Sequence, residues 1–112
     1  MKQIKSLAVL RGQLANPRFL SGLKYDEYEI CSYRKPLAWL LPPQDTSAYE
    51  QVQSIAITRL KTEAGFYIDL LKQATLSQRF SKPVAIGLLG GGSELLCVLV
   101  VDSTIVQSKT NE

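Results

Sequence analysis

The segment from Ile30 to Pro42, ICSYRKPLAWLLP, limits the possible folds more than any other part of the chain. Two short apolar runs flank the charged sequence Tyr33-Arg34-Lys35-Pro36. Apolar runs on both sides of a polar, proline-containing turn predict a β-hairpin, with strands at Tyr28–Ser32 and Leu37–Leu41. Pro42 and Pro43 end the second strand, since proline cannot donate a hydrogen bond to a continuing ladder.

Upstream of the hairpin, the pattern predicts a short strand at Ile4–Leu7 and a brief helical turn at Val9–Leu14. Asn16 as cap, with Pro17 in the first turn, predicts a helix over Pro17–Leu23. Downstream, Asp45-Thr46 is typical of a helix start and predicts a short helix over Ser47–Gln53.

The strongest helical pattern lies in the second half, after a predicted strand at Ser54–Thr58 whose last residue can cap a helix. Apolar side chains recur there at three- and four-residue spacing, which is typical of an amphipathic helix. They are Leu60, Ala64, Tyr67, Ile68, Leu71 and Ala74. Further strands are predicted at Leu76–Phe80 and Val84–Leu89, and Gly90–Ser93 turns the chain into a final β-rich run.

The order strand, helix, hairpin thus occurs twice, at an offset of 47 residues that matches Lys35-Pro36 with Lys82-Pro83. This favours an internal duplication; the alternative is that two small α+β units share ordinary patterning. The predicted fold is α+β, a small mixed or antiparallel sheet with flanking helices. We expect one unit at 1–53, a similar unit at 54–102 sharing its core, and a flexible tail at 103–112.

Composition argues against an enzyme, because the chain contains no histidine and so lacks the usual general base and metal ligand. Gly87–Ser93 has no lysine and precedes a β-rich run, so it predicts a turn and not a phosphate loop. We expect no catalytic residue, no metal, no cofactor and no small-molecule substrate. Cys31 and Cys97 lie in apolar runs and are interpreted as buried thiols. No segment approaches the ~20 apolar residues of a membrane helix, so a cytoplasmic protein without membrane contact is expected.

The net charge of +3 and a pI near 9.0 permit nucleic-acid binding without establishing it. Arg11 falls where a short helix would begin, and Arg34 and Lys35 fall on the hairpin turn. Helix starts and hairpin turns project from a core, so their cations can reach phosphates, and arginine can contact guanine. The alternative is ordinary solvated surface charge.

Ile30–Pro42 resembles the hairpin of the Phd/YefM (prevent-host-death) antitoxin family, which typically has I-T-R-x-G-K-P-V-A-V-L-V-P. Arg11-Gly12-Gln13-Leu14 resembles that family's A-R-x-N-L helix start. The likeness covers Ile4 to roughly Glu50, and SKPVAIGLL in the second half is similar to the same hairpin. It implies a dimer or, in a fused chain, a pseudo-dimer that binds operator DNA, represses its own operon and neutralises a partner toxin.

We expect DNA contacts from Arg11, Arg34 and Lys35, with Arg59, Arg79 and Lys82 as their second-half equivalents. The resemblance implies that the family's helix-start arginine falls on Arg11. The family's hairpin arginine falls on Ser32, so Arg34 would have to replace it. In a second interpretation of the 60–74 segment, its apolar face binds the toxin through Leu60, Tyr67, Ile68 and Leu71. The competing hypothesis is a non-enzymatic protein-interaction module, an inhibitor or assembly subunit that kept the fold without binding DNA.

Overall fold

The computed structural model describes residues 2–44, 48–77 and 81–101, which form an α+β domain around one six-stranded mixed sheet. In chain order its elements are β1 (Lys2–Ile4), α1 (Leu7–Gln13), α2 (Pro17–Gly22), β2 (Tyr28–Ser32), β3 (Lys35–Leu41), β4 (Glu50–Ala56), a 3-10 turn (Ile57–Arg59), α3 (Leu60–Leu76), β5 (Val84–Leu89) and β6 (Leu95–Val100).

The strands lie in the order β1-β2-β3-β6-β5-β4. β1 is parallel to β2 and β4 is parallel to β5, while the β2–β3, β3–β6 and β5–β6 pairs are antiparallel. Each half of the chain therefore pairs its three strands in the same way, and the halves meet at β3 and β6. The sheet has two ends. At one end, which we call the top end, three strands finish (β1, β2 and β6) and three begin (β3, β4 and β5). We call the opposite end the bottom end.

One hydrophobic cluster joins the helices to one face of the sheet. Leu10 of α1 and Leu71 of α3 pack in the same cluster as Ile30 of β2 and Ile86 of β5. All four side chains are at most 1% exposed. Because this cluster draws residues from both halves of the chain, neither half has a separate core.

A smaller buried cluster lies on the opposite face, where Leu41, Ala85, Val98 and Val100 alternate along their strands with residues of the main cluster. β5 and β6 are therefore buried on both faces, which explains their nearly continuous apolar sequences.

Several local predictions are confirmed. The Asn16 side chain accepts a hydrogen bond from the backbone N–H of Arg18 at 3.0 Å, and Pro17 begins α2. β2 spans the predicted Tyr28–Ser32, and β3 starts two residues earlier than predicted, at Lys35. By contrast, the predicted first strand at Ile4–Leu7 is wrong except at Ile4. β1 spans Lys2–Ile4, and the Ser6 hydroxyl accepts a hydrogen bond from the N–H of Val9 and caps α1, which begins at Leu7.

Other local predictions are wrong. The predicted helix over Ser47–Gln53 is replaced by β4, which begins at Glu50; Asp45-Thr46 lies outside the described residues. β4 is an edge strand with five exposed residues at its start, and pairing with β5 overrides a local pattern that suggested a helix. β4 also runs across the predicted unit boundary between residues 53 and 54. Thr58 does not cap α3, because it lies within the preceding 3-10 turn.

The second hairpin differs from the one predicted. Leu76 is the last residue of α3 and not the start of a strand, and residues 78–80 lie outside the described part of the chain. The hairpin instead joins β5 and β6 through Gly90–Ser93, which confirms the predicted glycine turn. Lys35-Pro36 begins β3, the second strand of its hairpin, whereas Lys82-Pro83 precedes β5, the first strand of the other. The 47-residue offset therefore does not align the two hairpins.

Candidate nucleic-acid interface

The sheet topology brings four cations to its top end. Lys5 follows β1, Arg34 lies in the turn between β2 and β3, Lys35 begins β3, and Lys82 lies two residues before β5. All four residues are exposed. We call these four residues the basic end.

Strand register brings Lys35 and Lys82 close to each other. Trp39 of β3 and Ala85 of β5 both pair with Val100 of β6, so the three residues form one row across the sheet. From that row, Lys35 lies four residues and Lys82 three residues toward the top end. Neighbouring strands are about 4.8 Å apart and rise about 3.3 Å per residue, so the two lysine backbones are separated by about 10 Å.

The turn at the basic end has a backbone conformation that its residues do not favour. Tyr33 and Arg34 have φ angles of 50° and 69°, and the flanking residues Ser32 and Lys35 pair with each other. Two central residues with positive φ define the type I′ turn, for which Asn-Gly is the preferred sequence. A side chain in this left-handed region costs about 1–2 kcal/mol. Tyrosine and arginine at these positions therefore destabilise the hairpin relative to the residues it would prefer.

A groove of about 780 Å³ lies beside the turn, between the hairpin and the start of α1. Lys5 and Arg34 supply its positive charge, and the side chains of Gln3 and Ser32 are also part of its lining. Leu7, Ala8, Cys31 and Tyr33 also line the groove. The groove is open to solvent, so an anionic group could reach its two cations next to the turn.

Arg59, predicted as a DNA contact, does not belong to the basic end. It follows β4 at the bottom end, and its guanidinium donates a hydrogen bond to the hydroxyl of Tyr67 at 3.1 Å. That hydroxyl in turn donates to the carboxylate of Glu63 at 3.3 Å. Glu63 has non-helical angles, φ −125° and ψ 17°, so the three side chains link the start of α3 across a distortion in the helix. Arg59 therefore has a contact within the domain.

Of the two remaining predicted cations, Arg11 lies within the described residues and Arg79 does not. The predicted place of Arg11 at a helix start is wrong, because α1 begins at Leu7 and Arg11 lies exposed in its last turn. Arg11 is not part of the groove lining. Arg79 lies outside the described residues.

At the bottom end, Lys2 forms an ion pair with Asp26 at 3.1 Å, and the hydrogen bond to that carboxylate raises the pKa of Lys2.

The predicted toxin-binding side chains face the domain core. Leu60, Tyr67, Ile68 and Leu71 are each at most 4% exposed and belong to the main hydrophobic cluster. Their apolar surface is occupied by the sheet, so it is not available to a partner while the domain is folded. The amphipathic pattern of α3 is thus explained by packing within the chain.

Both cysteines are buried, as predicted, and neither forms a disulfide. Burial raises the pKa of the Cys97 thiol strongly. Burial, together with a hydrogen bond to the carboxylate of Glu29 at 3.3 Å, raises the pKa of the Cys31 thiol. Since the thiolate is the nucleophilic form, neither thiol is activated. Within residues 2–44, 48–77 and 81–101, no three acidic or cysteine side chains are grouped so that they could hold a metal ion.

Sequence reasoning missed two members of the interface. Lys5 reaches it only because β1 pairs in parallel with β2, and a three-residue strand gives little sequence signal. Tyr33 was treated as part of the turn and not as a functional side chain, although it is 96% exposed. Its position between Ser32 and Arg34, without the usual turn glycine, was the signal that could have identified it.

No protein-family model matches the chain, and neither the curated proteins nor the solved structures contain a match. Across the part of the chain that the structure describes, the helices are too short or too polar to cross a lipid bilayer.

Proposed function

We propose that the chain is a cytoplasmic, antitoxin-like DNA-binding regulator that represses its own operon and contacts operator DNA through the basic end. The observation that carries the proposal is the convergence of Lys5, Arg34, Lys35 and Lys82 at one end of the sheet, around an exposed and unfavourable turn. Residues held in unfavourable backbone conformations are frequent at functional sites, where another requirement outweighs stability.

The shape of the β2–β3 hairpin favours the major groove as its binding site. The hairpin is two-stranded only at its tip, beyond Ile30, the last partner of β1, and Trp39, the last partner of β6. A two-stranded ribbon fits the ~12 Å width of the major groove and is too wide for the ~6 Å minor groove. With the turn entering the groove, Arg34 would face base edges. Lys5, Lys35 and Lys82, which surround the turn, would then contact phosphates.

The two halves of the sheet support the pseudo-dimer hypothesis. Each half contributes three strands paired in the same order, and the halves join through the antiparallel β3–β6 pair. In this proposal one chain supplies both halves of the arrangement that the Phd/YefM resemblance implies for two chains. Sedimentation equilibrium would test it, because a monomer that binds DNA supports the fused arrangement and an obligate dimer contradicts it.

Fluorescence anisotropy with duplex DNA from upstream of the chain's own reading frame tests the proposal. If each of the three lysines of the basic end neutralises one phosphate, log Kd should rise with log salt concentration at a slope of about 2.7. Between 50 and 200 mM salt the affinity should then fall roughly 40-fold. The triple variant Arg34→Ala, Lys35→Ala, Lys82→Ala should lower both the affinity and this slope.

A matched triple variant serves as the control: Arg18→Ala, Lys24→Ala, Lys61→Ala. Like the first variant, it removes one arginine and two lysines, but from positions outside the basic end. Arg18 lines a depression with Lys2 and Tyr28 at the bottom end, and Lys61 follows the bottom-end turn. We expect the control to retain most of the affinity. Equal losses in the two variants would show that net charge and not the basic end attracts DNA, and would refute the proposal.

Neutralisation of a toxin, the second part of the proposed function, would need an apolar surface other than the buried side of α3. Phe66 and Leu76 of the same helix, which are 62% and 81% exposed and ten residues apart, would each contribute to such a surface. The same two side chains favour the alternative of a protein-interaction module without DNA binding. A folded wild-type chain that binds no duplex at 50 mM salt, yet forms a complex with the product of an adjacent reading frame, would support that alternative.

A further inference from the structure

The side chain of Tyr33 has no structural task within the described part of the domain. It is 96% exposed and makes no hydrogen bond or ring contact with the described residues. By contrast, Tyr28 packs edge-to-face against Phe19, and Tyr67 donates a hydrogen bond within the core. A large aromatic ring is therefore kept in water, at a position where its backbone angles are unfavourable.

The adjacent position of Tyr33 and Arg34 matches the spacing of base pairs. Consecutive Cα atoms are 3.8 Å apart, and stacked base pairs are about 3.4 Å apart along the duplex. Two neighbouring side chains at a turn can therefore face two successive base pairs in the major groove. Arginine there pairs with the O6 and N7 atoms of guanine, whereas an apolar side chain contacts the methyl group of thymine.

We infer that Tyr33 is a specificity-determining residue that packs its ring against a thymine methyl group next to a guanine contacted by Arg34. This inference rests on the proposed DNA-binding function and extends it from affinity to sequence preference. Tyr33 lines the groove beside the turn together with Lys5 and Arg34. The neighbouring phosphate backbone can therefore lie against Lys5 while the ring faces the bases.

The test begins with selection of duplex sites from a random pool by the wild-type chain. Each thymine of the selected site is then replaced by uracil, which removes only the methyl group. Replacement at one position should weaken wild-type binding about fourfold, equivalent to the ~0.8 kcal/mol of one buried methyl-sized group. Tyr33→Ala should bind thymine and uracil sites equally, and Tyr33→Phe should keep the fourfold ratio, because the ring and not the hydroxyl makes the contact.

Two results would overturn the inference while leaving the proposed function intact. One is a Tyr33→Ala variant that keeps the wild-type thymine-to-uracil ratio. The other is a Tyr33→Phe variant that loses affinity for both sites equally, which would assign the side chain to a phosphate through its hydroxyl. A wild-type chain that binds no duplex would overturn the proposed function itself. Thermal unfolding of each variant checks that the fold is retained, as expected for so exposed a side chain.

Discussion

Replacing the β2–β3 turn by its preferred sequence should stabilise the domain and weaken its binding to DNA. In the double variant Tyr33→Asn, Arg34→Gly, both residues tolerate the φ angles of 50° and 69° that the turn imposes. Relief of the left-handed conformation at Arg34 is worth about 1–2 kcal/mol, and the added freedom of glycine in the unfolded chain offsets about 0.4–1 kcal/mol of it. With a smaller gain at Tyr33, the free energy of unfolding should rise by about 1 kcal/mol, or about 4–6 °C in Tm.

Urea unfolding followed by the fluorescence of Trp39, the single tryptophan, measures this gain. Ser93→Asn is a matched control, because Ser93 also has a positive φ of 64° but lies in the glycine turn at the bottom end. It should raise stability by a few tenths of a kcal/mol without changing DNA affinity. Tyr25→Asn is a second control, since Tyr25 is exposed but does not have a positive φ. It should not stabilise the domain.

The free energy of unfolding and the DNA affinity of the turn variant together distinguish backbone strain in the turn from a role of the turn residues in binding. A variant that is more stable and binds DNA at least tenfold more weakly supports the idea that the turn residues are kept for binding. A variant that is no more stable than wild type would show that the turn is not strained. A stabilised variant with unchanged affinity would remove the turn from the interface.

Three further predictions concern the core. Leu71→Ala should cost about 2–5 kcal/mol, because Leu71 is fully buried, whereas Leu76→Ala on the same helix should cost almost nothing; urea unfolding compares them. Gly87→Ala should change the free energy of unfolding only slightly, because the atom nearest to its Cβ, 2.7 Å away, is the amide end of the exposed and flexible Gln51 side chain, which can turn aside; urea unfolding measures the change. The raised pKa of Cys97 predicts that stability is intact below pH ~8.5 and falls above it, by at most about 1.4 kcal/mol per pH unit. Cys97→Ala should lessen that slope in unfolding curves at pH 8.5–10.

The elements that could be predicted from sequence are those fixed by neighbouring residues. Asn16 caps the helix that begins with the next residue. The strand Tyr28–Ser32 pairs with the strand that follows it after a two-residue turn. The apolar stripe of α3 is equally local, because all its members lie within five turns of one helix. The start of β4 was not predicted because its exposed glutamines give no strand period, whereas residues 54–56 at its end lie within the predicted strand Ser54–Thr58. Only its pairing with β5, about thirty residues later, makes it a strand.

The basic end was harder to predict than the fold, because its residues meet through strand pairing and not through sequence spacing. Lys5 and Arg34 come together through the parallel β1–β2 pair, and Lys82 joins them because β5 runs antiparallel to β6 and so begins at the top end. The repeat pattern pointed to Lys82 through an alignment of hairpins that the structure does not show. Lys82 was matched with Lys35 as the turn of a second hairpin, but that hairpin turns at the bottom end through glycines. Lys82 therefore contributes to the basic end through the direction of its strand, and a cation at any residue of the 81–83 segment would be brought to the same place.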